Sequence, residues 1–373
     1  RYFRSMRSFI AISLLFCSFA SWGNILVLEY DPGDDNHWHG TSVHWIACKN
    51  SVQPCRLLYS PGPEFGNHEF LQALDGNLTD SRIVNMSFTL PKPKPFEGGP
   101  AWQGKEEAME KARKEREKTI AKFKVNVSII ENVIQSYPGV LFIAAAGNGN
   151  ASGFNPANAG IGLKEQSQQI PQIFIEKNLI KVAALNIDKF EIPNANDYFI
   201  ASYSNFGLDF VDVAAPVETN HLNEIIKGTS FAAPYVSRVS NEIFRQFPNL
   251  NPDEVAKILR RSCHIKNIDK AIWATQDLIE KESDSLVFKA QYTRRLAERN
   301  KILENELKDV ILVKCGGALS QKLAVTCARN YALNSTKNEE TLNRSCLDAH
   351  KEISGSDSKE LDQLLILWNL RQL

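Results

Sequence analysis

Six short apolar runs recur between residues 24 and 214, and their placement narrows the fold class before any single residue does. They are Asn24–Tyr30, Arg56–Tyr59, Arg82–Ser87, Val140–Ala145, Leu179–Ala184 and Phe210–Ala214. Runs that are mostly apolar along their length read as strands covered on both faces. Such strands belong to mostly parallel sheets flanked by helices. The expected class is therefore α/β with a mostly parallel sheet. In that class, functional groups gather at the carboxyl ends of the strands.

The segments between and after these runs carry their own signals. Lys105 to Lys124 is densely charged and reads as a solvated helix, continuing through Ile129, Ile130 and Val133 until Pro138. Asn251 is placed to cap a helix that has Pro252 at its first position and runs to Arg261. Pro91-Lys92-Pro93-Lys94-Pro95 reads as a stiff exposed loop. Residues 284–373, with Leu296, Leu303, Leu307 and Val310 at helical spacing, read as a C-terminal α-helical extension of two to four helices. Such an extension would cap the domain, mediate association or be loosely ordered.

Three local patterns carry chemistry. Ser230 lies in Gly228-Thr229-Ser230-Phe231-Ala232-Ala233-Pro234, a glycine turn opening onto a small-residue run that starts a helix. An oxyanion formed beside such a serine faces unpaired helix N–H groups and the positive end of the dipole. His39, in His39-Gly40-Thr41-Ser42-Val43, is the candidate base. Asn148 follows the apolar run Leu141–Ala146 in a Gly-Asn-Gly turn, where its side-chain amide can donate to an oxyanion.

Together these patterns resemble the subtilisin-like serine proteases, the subtilase family, over roughly residues 29 to 265. GTSFAAPYV resembles the nucleophile motif, HGTSV the histidine motif and IAAAGN the oxyanion-asparagine motif. Val84-Asn85-Met86-Ser87-Phe88 resembles the strand lining the primary specificity pocket. Tyr203-Ser204-Asn205-Phe206-Gly207, with Val213-Ala214-Ala215-Pro216, resembles the run before the nucleophile. The resemblance implies a three-layer subtilisin-like fold over residues 24–270. It implies an endopeptidase with Ser230 as nucleophile, His39 as base, Asn148 at the oxyanion, and Ser87 and Phe88 against substrate. Substrates would be proteins or peptides. Calcium is implied by family likeness alone; the sequence shows no ligand cluster for it and no cofactor.

The third triad member has two readings. Asp31, in Asp31-Pro32-Gly33 after the first strand, superficially matches the family's acid motif. Alternatively, Asp31-Pro32-Gly33-Asp34-Asp35-Asn36 is an acidic turn preceding the histidine, and the acid-bearing strand is missing. His44, Trp45, Thr89 and Val217 depart from the family pattern. On the second reading the chain is a catalytically impaired subtilase-like protein acting as a peptide-binding or interaction module.

Residues 1–20 read as a signal peptide, with Arg4 and Arg7 before the mostly apolar run Phe9–Phe16, or else as a first buried element of the domain. The signal reading implies export, to the periplasm or outside the cell, with no membrane association after cleavage. Removing Cys17 leaves Cys48, Cys55, Cys263, Cys315, Cys327 and Cys346, an even set that permits disulfides. Cys48 with Cys55 would close a short loop, and a bridge among Cys315, Cys327 and Cys346 is compatible with their spacing. No Cys/His spacing resembles a zinc site. Lys plus Arg equals Asp plus Glu at 43 each, so net charge gives no argument for nucleic acid or an anionic membrane as partner.

Overall fold

The computed structural model describes residues 24–30, 38–51, 54–60, 68–88, 90–91, 96–99, 102–148, 169–171, 174–186, 199–201, 203–205, 211–217, 226–264 and 318–370. The candidate signal segment, Asp31 with its acidic turn, Thr89, Lys92–Pro95, Cys315 and the leucines Leu296, Leu303 and Leu307 lie outside them.

The first strand, β1 (Ile25–Tyr30), pairs in parallel with both β2 (Cys55–Ser60) and β3 (Ile83–Met86). It therefore sits inside the sheet. The reading in which the strand before the histidine is missing is corrected on this point. Parallel pairing continues through β5 (Leu141–Ala145), β7 (Leu179–Asn186) and β9 (Val213–Pro216). Two-residue strands complete the picture. β8 (Phe199–Ile200) pairs antiparallel with β7, and β4 (Leu90–Pro91) pairs with β6 (Gln169–Ile170) in a separate small sheet. Of the expected Phe210–Ala214 strand, Val213 and Ala214 lie in β9, which runs on to Pro216, and Phe210 lies outside the described residues; just before β9 the Asp212 carboxylate accepts from the Lys181 backbone N–H at 2.8 Å.

Strand parity separates two cores. Leu26, Leu28, Val84, Met86, Phe142 and Ala144 pack under α2 (His68–Thr79) and α3 (Glu106–Ser136). Ile25, Val27, Ile83, Ile143 and Val182 face the opposite layer. That layer contains α1 (Trp38–Cys48), α4 (Ala233–Gln246) and α5 (Pro252–Arg261). The result is a three-layer arrangement. Helix α3 runs unbroken for 31 residues, as its charge and apolar spacing foretold. Helix α5 starts at the expected cap: Asn251 Oδ1 accepts from Glu254 N, and Glu254 Oε2 accepts from Asn251 N, each close to 2.9 Å.

The C-terminal segment is not purely helical. β11 (Ala318–Leu319) pairs parallel with β9 and antiparallel with β10 (Cys263–His264). It leads into α6 (Gln321–Ala332), α7 (Glu339–Ser354) and α8 (Ser358–Leu370). Their residues Leu323, Cys327, Tyr331, Cys346 and Trp368 share one continuous core with Val236, Ile243 and Ile258. Arg261 ties the layers: its Nε donates to Asn343 at 2.7 Å, it pairs with Glu339, and its carbonyl meets His350 Nε2 at 2.8 Å. Of the three arrangements open to this extension, the described part packs onto the domain. Disulfides Cys48–Cys55 and Cys327–Cys346 close two local loops, and the buried Cys263 is in no disulfide, its Sγ donating to Leu259 O at 3.5 Å.

Two packing points yield tests. Burial raises the pKa of the half-buried Asp212 carboxyl, but Arg260 Nε at 2.8 Å and the Lys181 charge and backbone outweigh it and hold it below the ordinary value. A depressed folded pKa stabilises the protein above the unfolded value, and that contribution is lost as pH falls through the folded one. Asp212→Asn is expected to lose about 1.5–3 kcal/mol of unfolding free energy at neutral pH. The gap to wild type should shrink below about pH 4 in denaturant titrations; a gap independent of pH would contradict the assignment.

Gly40 sits where α1 crosses β1 and β2. A Cβ there would lie 2.6 Å from the Tyr59 hydroxyl, 2.9 Å from Tyr59 Cε1 and 3.0 Å from Glu29 Cγ. Gly40→Ala should cost about 1–3 kcal/mol by overpacking. Adding Tyr59→Leu should recover part of that loss, read from chemical unfolding midpoints; purely additive losses would place the strain elsewhere.

Candidate functional site

Four segments from separate parts of the chain meet at the carboxyl ends of β1, β3 and β5. The first is β1 itself. Ile25, Val27 and Glu29 alternate onto the α1 and α4 face, so Glu29 continues an apolar stripe with a carboxylate. Glu29 is buried, at 3 % exposure. Its Oε2 lies 3.0 Å from His39 Nδ1. The carboxylate thus engages the ring through Nδ1, and Nε2 is the ring nitrogen that Glu29 does not occupy. His39 is in the first turn of α1 and is half-buried. The described partner of His39 is thus Glu29, two residues before Asp31. Sequence reasoning passed over Glu29 because it reads as the end of a strand. The available signal was one acidic residue closing the run Ile25-Leu26-Val27-Leu28.

The second and third segments are the turn that carries Ser230 and the β3 end. Gly228 has φ 148 and ψ 144, a region nearly closed to residues with a Cβ. Its turn leads through a 3₁₀ segment, Thr229–Phe231, into α4, whose first turn contains Pro234. Ser230 therefore lies at the amino end of a 14-residue helix. Ser230 and Ser87 clasp each other. The Ser230 hydroxyl donates to Ser87 O at 2.8 Å, and the Ser87 hydroxyl donates to Ser230 O at 2.9 Å. Asn85, fully buried on β3, donates from Nδ2 to Ser87 Oγ at 2.7 Å. Phe88 is buried directly beyond Ser87. Phe231, next in chain to Ser230, brings its ring to 5.2 Å from the His39 ring and stacks on Trp38 at 6.2 Å.

The fourth segment is the turn after β5. Gly147 N donates to Thr229 Oγ1 at 3.0 Å. Asn148 Oδ1 accepts from Thr229 N at 2.9 Å and from Thr229 Oγ1 at 3.0 Å. With the oxygen of the amide so engaged, its Nδ2 turns toward Gly228, 3.4 Å from where a Cβ on that glycine would stand. The loop after β8 supports this turn: Asn205 Nδ2 and N donate to Ala146 O and Gly147 O, at 3.0 and 2.9 Å. Asn148 and Ser204 form an isolated bridge. Burial raises the Tyr203 phenol, and its hydrogen bond to the Gly228 backbone offsets part of that shift.

The structure thus brings Ser230, His39, Asn148, Ser87 and Phe88 together at the carboxyl ends of β1, β3 and β5 and adds Glu29, Asn85 and Thr229. His44 and Trp45 are accommodated on α1. Trp45 packs at the edge of the core beneath Lys49, whose Nζ is 4.9 Å from its ring. Calcium takes oxygen donors. The one clustered His/Cys/Asp/Glu donor set among the described residues is His44, Cys48 and Cys55, a nitrogen–sulfur set that does not suit it.

Among curated proteins none matches the chain. Similar solved structures include the A-subunit of the AB5 toxin from E. coli, at 15 % identity and TM-score 0.42, covering 66 % of this chain and 86 % of that one. A subtilase cytotoxin SubAB assembly structure also shows 15 % identity and TM-score 0.42, over 89 % of this chain and 86 % of that one. A cold adapted subtilisin-like serine proteinase shows 18 % identity and TM-score 0.36, over 65 % and 83 %. The Peptidase_S8 model, the subtilase family, matches residues 27–285. That match spans the whole constellation from β1 to beyond α5, and the chain belongs to the subtilase family.

Proposed function

We propose that this protein is an exported serine endopeptidase in which Glu29, His39 and Ser230 form the triad. The observation that carries the reading is the 3.0 Å contact between Glu29 Oε2 and His39 Nδ1. It supports Glu29 as the acid, a position that the motif pattern alone left open. Glutamate is one methylene longer than aspartate, and its carboxylate still reaches the ring from β1.

The steps follow from the donors in place. Ser230 Oγ, resting on Ser87 O, rotates about χ1 to His39 Nε2 and attacks the scissile carbonyl as Nε2 takes its proton. Contacts of this kind are often loose before substrate binds. The imidazolium then forms beside Glu29, which stabilises it and keeps the ring oriented without taking the proton. Asn148 Nδ2, aligned by Thr229, and the Ser230 backbone N–H receive the oxyanion at the start of α4. His39 returns its proton to the leaving amine. Water then repeats the cycle on the acyl-enzyme. Substrates are proteins or peptides, with Ser87 and Phe88 on the pocket strand. Two disulfides in the described residues and the family's habit of secretion support export. No helix among the described residues is long and apolar enough to cross a membrane.

The alternative is a subtilase scaffold that binds peptides without cleaving them, favoured by the Ser230 hydroxyl being held on Ser87 O. A fluorophosphonate probe on the folded full chain separates the two. The triad reading expects covalent labelling at Ser230 that is absent in Ser230→Ala; unlabelled, folded wild type would support the binding reading. Glu29→Gln should lower kcat by about 10⁴, as loss of the triad acid does in subtilisin, with KM little changed. A loss below about tenfold would show that Glu29 does not serve His39.

A further inference from the structure

Trp38 opens α1 directly before His39 and is 47 % exposed. The other large apolar side chains left open among the described residues are Val125, Ile175, Leu333 and Ile366, and none of them belongs to the site. Trp38 does not stand free. Its ring stacks on Phe231, with centroids 6.2 Å apart and planes at 27°, and meets the His39 ring edge-on at 5.8 Å and 81°. Phe231 closes the triangle at 5.2 Å from His39 and is itself only 3 % exposed. These spacings are those of aromatic rings in contact. Phe231 is therefore a buried backing, and the indole is the broad apolar surface left open beside His39.

We propose that Trp38 selects the residue immediately after the scissile bond, favouring aromatic and large aliphatic side chains. The proposal rests on the protease reading above. Sheet order fixes which part of a peptide meets the indole. Asn148 follows β5, Ser87 follows β3, and Glu29 with His39 belongs to the β1 flank, so β3 lies between the other two. A carbonyl whose oxygen faces Asn148 turns its leaving nitrogen to the opposite flank, where His39 must return a proton to it. Ser87 and Phe88, on the middle strand, take the acyl side, and the departing chain begins over Trp38. An indole held flat on a second ring is rigid and apolar, and it gains contact area from an aromatic or long aliphatic partner but none from glycine. A basic side chain would also be drawn to an indole face. Here it would meet the imidazolium that forms on His39 as the bond breaks, and like charge disfavours it.

The test digests a proteome-derived peptide mixture with the folded full chain and reads the new amino termini by mass spectrometry, beside fluorophosphonate labelling of the same preparation. Wild type should show aromatic residues, leucine and methionine enriched as the first residue after the cut. Trp38→Ala should lose that enrichment, and so should Trp38→Gln, which keeps bulk without an aromatic face. Trp38→Phe should retain most of it. For two peptides that differ only in Phe or Gly at that position, the kcat/KM ratio should be about tenfold or more in wild type and fall close to unity in Trp38→Ala. A general loss of activity from disturbing His39 cancels in this ratio. Labelled enzyme that cuts without the preference, that prefers basic residues there, or whose preference survives Trp38→Ala and Trp38→Gln overturns the proposal and leaves the protease reading standing. A preference lost instead at residues before the cut overturns the assignment to the departing chain. A folded chain that takes no label and makes no cuts overturns the protease reading itself, and this proposal with it.

Discussion

A histidine ring has two nitrogens, and only one of them can face a nucleophile. Which one is available depends on what holds the other. Here Glu29 holds Nδ1. That contact requires β1 to lie inside the sheet, with Glu29 on the same face as Ile25 and Val27, and α1 to begin on that face. A one-residue slip of β1 would turn the carboxylate into the opposite core. The close approach of α1, enforced by Gly40 against Tyr59 and Glu29, leaves no slack at this junction. The ordering of the His39 ring is therefore written into strand parity and one missing side chain.

The serine side is fixed by a different device. Ser230 lies on a turn whose backbone geometry depends on Gly228, and that turn is held from both flanks. Thr229 is locked to Gly147 and Asn148 after β5, while Ser230 is clasped to Ser87 after β3. Because the carboxyl ends of neighbouring parallel strands lie side by side, these bonds are short even though they join residues distant in sequence. The helix that follows adds its dipole and its core anchors, Val236, Val239 and Ile243. Buried polar groups that are mutually satisfied give such a site rigidity.

Much of this was legible in the chain. The strands at Arg56, Arg82, Val140 and Leu179 were marked by apolar runs, and the cap at Asn251 by Asn-Pro. Ser230, His39 and Asn148 stood in recognisable local patterns. Glu29 was not legible in the same way. An acidic residue closing a strand looks like a boundary, and the neighbouring Asp31-Pro32-Gly33 offers a more familiar shape. Only the pairing of β1 between β2 and β3 shows that Glu29 points to α1 rather than to solvent. β11 was equally hidden, since two residues carry no period. The Cys327–Cys346 pairing needed the antiparallel packing of α6 on α7, which spacing alone could not choose over Cys315.

The central claim is that a carboxylate on β1 sets the tautomer of His39. Nitrogen-15 NMR of the imidazole measures this directly. The account predicts an Nδ1-protonated ring with a far-downfield Nδ1 proton that moves upfield in Glu29→Gln, while other histidine signals stay in place. A His39 ring protonated at Nε2, or an Nδ1 proton indifferent to residue 29, would contradict it.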